Sequence, residues 1–62
     1  MQYIIICQSA GQPLEARRIR KANDTQARNH TTKYCKCGMK VLHLFKQRNM
    51  KNEVMFEEIS LD

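Results

Sequence analysis

The chain has 62 residues, 42% of them apolar, with three cysteines, four methionines and no tryptophan. That length holds one small domain whose core barely offsets the ordering of the chain, since about 25 cal/mol per Å² of buried apolar surface stands against about 1.5 kcal/mol of ordering per residue. Eleven Lys and Arg against six Asp and Glu give a net +5, which excludes an acidic solvating tail and favours an anionic partner, nucleic acid first. A metal, a disulfide or a partner chain usually assists a core of this size. No apolar run approaches the roughly 18 residues a membrane helix needs, and the longest, at 3–7, is too short even for a signal-peptide core. The chain reads as a soluble cytoplasmic protein without membrane contact.

In chain order, residues 2–7 carry three consecutive isoleucines and predict a strand buried on both faces. Residues 9–13 predict a turn. Residues 14–22 support two readings: a helix opened by Pro13 with Glu15 early and Arg20 and Lys21 late, or a strand with Leu14 and Ala16 on one face and Ile19 on the other. Residues 23–32 are polar, lack any large apolar side chain and predict a loop. Residues 33–37 and 39–46 read as strands turning at Gly38, with Val41, His43 and Phe45 on one face and Leu42 and Leu44 on the other. A second polar turn is predicted over 47–52. Residues 53–61 predict a last strand with Val54 and Phe56 on one face, or a short terminal helix. No repeat or domain boundary interrupts the chain.

The charge divides sharply along this order. Residues 1–51 hold all eleven bases and only two acids, Glu15 and Asp24, while residues 52–62 hold four acids and no base. The densest cluster is Arg17, Arg18, Arg20 and Lys21, followed by Arg28 and Lys33. Such a cluster is either a solvated surface that keeps a small protein soluble or a phosphate-binding stripe, and its arginines suit bidentate phosphate contacts. The acidic end either contacts that stripe when no ligand is bound or faces a separate protein.

Three cysteines, an odd number in a basic chain, argue against a disulfide scaffold. Cys35-Lys36-Cys37-Gly38 resembles a zinc knuckle, in which the glycine lets backbone N–H groups approach sulfur. Cys7-Gln8-Ser9-Ala10-Gly11 resembles the companion knuckle with Ala10 in place of the second cysteine. With basic Ala16-Arg17-Arg18-Ile19-Arg20, Thr31-Thr32-Lys33-Tyr34 before Cys35, and the apolar strand through Phe45, the segment from Cys7 to Phe45 resembles a zinc ribbon. The type is that of small nucleic-acid-associated proteins, among them the Ogr/Delta phage late-transcription activators and the zinc head of the ribonucleotide-reductase repressor.

The resemblance implies a small β fold of antiparallel hairpins over 2–46 with an acidic strand at 53–61, the alternative being an α+β strand–helix–hairpin with 13–22 helical. It implies zinc held by Cys7, Cys35 and Cys37, with His30 as the fourth ligand. His43, alone on an apolar strand, is more often a packing residue than a ligand. Bound zinc would contribute about 10 kcal/mol or more to folding; a ribbon that has replaced its metal by packing is the other reading. Ala10 and the single residue between Cys35 and Cys37 depart from the family pattern. The acid pair of transcript-cleavage ribbons is absent, since Asp24 stands beside Asn23 and Thr25.

Catalysis is not expected. Glu57 and Glu58 would point to opposite faces of a strand, the only glycines are Gly11 and Gly38, and the chain is too short for an ordinary substrate pocket. The expected function is therefore binding of DNA or RNA, in a phage-type transcription regulator, with Arg17, Arg18, Arg20, Lys21, Arg28 and Lys33 on phosphates. Tyr34 is offered as a stacking residue, with packing its commoner role. The alternative is a protein-interaction module or inhibitor that docks on RNA polymerase or another nucleic-acid enzyme through residues 53–61, or pairs that edge with its own copy in a homodimer.

Overall fold

In the computed structural model, which describes residues 1–61, Tyr3, Ile5 and Cys7 are completely buried while Ile4 and Ile6 between them are only partly covered. This alternation makes β1 (Gln2–Gln8) a strand with one sealed face and one open face, not the doubly buried strand its isoleucines predict. β1 is internal to a four-stranded antiparallel sheet of order β2-β1-β3-β4. β2 (Glu15–Arg20) lies along one side, with Ile4 opposite Arg18 and Ile6 opposite Ala16. β3 (Lys40–Met50) lies along the other, with Ile4 opposite Phe45 and Ile6 opposite His43. β4 (Glu53–Glu58) turns back along β3. A bulge between Ile6 and Cys7 brings Cys7 opposite Val41.

Of the two readings for 14–22, the chain adopts the strand. Six registered pairs with β1 hold it there, and Ile19 packs against the core. The helix lies elsewhere. Residues predicted as loop (23–32) and as strand (33–37) form α1 (Asp24–Lys36). Its start is specified by Asn23, extended at φ −154°, whose side-chain oxygen accepts from the Gln26 N–H at 2.9 Å. Gln26 in turn accepts from the Ala22 N–H at 3.3 Å. Its end is a Schellman closure: the Gly38 N–H reaches the Cys35 carbonyl at 3.1 Å and the Met39 N–H reaches that of Tyr34 at 3.0 Å. Gly38 at φ +86° supplies the left-handed residue this closure requires. Met39 and Tyr34 then pack together onto the core.

The second turn is shorter than predicted. β3 continues through Met50, leaving only residues 51 and 52 between it and β4, and β4 ends at Glu58 short of the predicted 61. The helix covers one face of the sheet. Tyr3, Ile5, Cys7, Ala27 and Leu44 form the buried core there, with Ile19, Tyr34, Met39, Val41 and Ile59 packed around it. The Tyr3 hydroxyl donates to Asp24 at 2.6 Å, tying β1 to the first turn of α1. Four antiparallel strands and one helix make a small, mostly β protein, within the small β or α+β class expected. The helical segment of the α+β alternative is corrected from 13–22 to 24–36, because 14–22 is taken up in pairing with β1. Among the described residues no helix is long and apolar enough to cross a membrane.

Candidate nucleic-acid interface

One helix can cover only one face of a four-stranded sheet, so the other face is open. Strand alternation places Ile4 and Ile6 of β1, Ala16, Arg18 and Arg20 of β2, His43 and Phe45 of β3, and Val54, Phe56 and Glu58 of β4 on it. Ile4, Ile6, Ala16, Phe45 and Phe56 line a shallow apolar depression of about 350 Å³. Phe56 is 53% exposed, so its ring is available to a ligand. The His43 ring stacks on Phe45, with centroids 5.7 Å apart and planes 28° apart. Its Nδ1 lies 3.2 Å from the Glu58 carboxylate. His43 is thus a surface residue of this face.

The basic residues named from the sequence do not form one stripe. Arg18 and Arg20 border the open face, where they have no ion-pair partner among the described residues. Arg17, on the opposite side of the same strand, donates to Glu15 at 2.9 Å and lies over the Tyr34 ring, 5.5 Å from its centroid. Glu15 first, and then the Tyr34 hydroxyl, hold the Arg17 guanidinium more firmly protonated. Tyr34 is half-buried, edge-on to His30 at 5.1 Å, and packs against the core.

Lys21 and Lys33 meet in a notch of about 180 Å³ that Gln26, Asn29 and His30 also line. These four helical positions recur at three- and four-residue steps, one stripe of α1 beside the end of β2. Burial, and then the charges of Lys21 and Lys33, push the His30 imidazole below its ordinary pKa. Arg28 is separate: it shares a hollow with Met1, Asn23, Asp24, Thr25 and Lys46 on the other flank of the helix. Five of the six named residues therefore surround β2, and Arg28 stands apart.

The four residues named as metal ligands are dispersed. Cys7 is sealed beneath the helix, Cys35 and Cys37 are exposed at its C-terminal end, and all three are free thiols. His30 is engaged with the Tyr34 hydroxyl at 3.3 Å. Cys35 and Cys37 sit on a helix terminus and not on a knuckle turn, because the segment before Gly38 is helical. Among the described residues no group of three or more His, Cys, Asp or Glu side chains is placed to hold a metal ion. These four donors are not brought together in this arrangement.

Phe45 and Phe56 were not named as binding residues from the sequence. Period-2 alternation puts them on the faces they occupy, but only the position of α1 determines which face stays uncovered. No family model matches the chain, and neither a curated protein nor a solved structure is significantly similar to it.

Proposed function

We propose that the chain binds single-stranded nucleic acid on the open sheet face. The observation that carries this reading is an uncovered aromatic surface, half-buried Phe45 with exposed Phe56 and His43, bordered by Arg18 and Arg20, which have no ion-pair partner among the described residues. Single strands present base faces to aromatic side chains and phosphates to Arg and Lys, whereas a duplex hides its base faces. Bases would lie on Phe45 and Phe56, and the backbone would follow β2, with Lys21 and Lys33 reached around its end. The net +5 charge adds long-range attraction.

Fluorescence anisotropy with labelled oligo-dT, oligo-rU and a duplex tests it. Both single strands are expected to bind more tightly than the duplex. Phe45→Ala with Phe56→Ala is expected to weaken binding at every salt concentration, by about 1–3 kcal/mol per unstacked base. Arg18→Ala with Arg20→Ala is expected to flatten the salt dependence by about 1.4 in log–log slope, about 0.7 per lost phosphate contact on a single strand. Absence of binding to any of the three at low salt overturns the reading, as does binding indifferent to both variants.

A second reading, docking on a nucleic-acid enzyme through residues 53–61, is favoured by β4 being an edge strand with Val54, Met55 and Phe56 about half exposed. Val54→Ser with Glu53→Lys, which leave Ile59 on the core, would abolish capture of RNA polymerase if that reading holds, and leave it unchanged if it does not.

A further inference from the structure

The two edges of the sheet carry opposite charge. On one edge, residues 15–21 hold Arg17, Arg18, Arg20 and Lys21 against Glu15, a net +3; on the other, residues 53–58 hold Glu53, Glu57 and Glu58 with no base, a net −3. The two edge strands are each six residues long. Because β1 and β3 lie between them, the edges are about 14 Å apart at about 4.8 Å per strand step. The acidic strand therefore cannot lie against the basic one within a single chain. Each edge also presents a row of backbone groups with no strand to pair with.

We propose that copies of this chain join edge to edge, β4 of one against β2 of the next, in a heterologous, salt-sensitive assembly. Like edges repel, +3 against +3 and −3 against −3, so a symmetric dimer through either edge alone is disfavoured. Unlike edges attract, and each face contributes. With the open faces aligned, Arg18 and Arg20 meet the partner's Glu58 on that face. With Glu58 opposite Arg18, Glu57 lies opposite Ile19 on the other face, flanked by Arg17 and Lys21. Glu57 and Glu58 already contact Arg48 and His43, but all four side chains are about half exposed, and a carboxylate retains lone pairs for a second cation. Because the two surfaces are different, the contact does not close on itself and adds copies in a row unless its rotation forms a ring. The assembly does not rest on nucleic-acid binding, although Arg18 and Arg20 would serve both.

Sedimentation equilibrium of the full chain without nucleic acid, from about 10 µM to about 1 mM at low and high salt, tests it. The mean mass is expected to rise with concentration beyond two copies of 7.3 kDa at low salt and to fall toward one copy at high salt. Arg18→Glu with Arg20→Glu makes both edges acidic, and Glu53→Lys with Glu58→Lys makes both edges basic. Each variant alone is expected to stay monomeric, with its circular dichroism unchanged. Mixing the two restores opposite edges between unlike copies and is expected to restore assembly. A monomer at every concentration, a mixture that stays monomeric, or a dimer insensitive to both reversals but lost in Phe56→Ser would each overturn the proposal.

Discussion

At the residue scale, the Tyr3–Asp24 hydrogen bond joins the sealed core to a partly exposed carboxylate. Burial, and then the hydrogen bond to Asp24, push the Tyr3 phenol up to about 12. The same bond, helped by Lys46 and Arg28, holds Asp24 below the usual carboxylate range. A raised phenol pKa means that the unfolded chain releases this proton first, so its stabilising contribution is complete below about pH 10 and is lost as pH rises towards 12. Tyr3→Phe retains the ring packing and removes the donor, which is expected to cost about 1 kcal/mol at neutral pH. Urea midpoints measured from pH 7 to pH 11 would show this deficit shrinking as pH rises, because the variant lacks the alkaline loss. Asp24 has the opposite sign: its contribution is present above the unfolded carboxylate value and is lost as pH falls through the depressed one. Asp24→Asn is expected to flatten the acid limb of the same stability curve.

At the element scale, the helix is set by its two ends. Asn23→Ala removes the side-chain acceptor for Gln26 and is expected to cost about 1 kcal/mol. Gly38→Ala places a Cβ on a left-handed residue, at a cost of roughly 1–2 kcal/mol, although open space surrounds the position; thermal melts of the two variants would check both values. The residues that carry these signals read differently in the sequence, Asn23 as part of a loop and Gly38 as a turn between strands, because the face between them is hidden. α1 meets the sheet through Ala27 and Thr31, which are too small and too polar to register as an apolar stripe, so the segment looks like a loop. The strands were easier to read, because β-branched residues fill positions 4–6 and large apolar side chains recur from Val41 to Phe45. Their ends were missed where polar Gln47, Arg48 and Asn49 remain paired with β4. The basic part of the candidate site was legible as composition, but its division among the open face, the notch and the far flank depends on where α1 lies.

At the scale of the whole molecule, five hydrophobic side chains are fully sealed among the described residues, and little redundancy protects them. Leu44→Ala is expected to cost about 2–5 kcal/mol, comparable with the roughly 3–5 kcal/mol that so small a core supplies in total. Far-ultraviolet circular dichroism at 37 °C should show this variant largely unfolded. The sulfur at position 7 offers a way to watch the molecule open. Cys35 and Cys37 stand in solvent while Cys7 is closed beneath the helix. A thiol reagent should therefore modify two groups at once and the third only when α1 lifts from the sheet. The slow phase times that opening, and an oligonucleotide that binds only the native form should slow it by a factor of one plus the ratio of free oligonucleotide concentration to Kd.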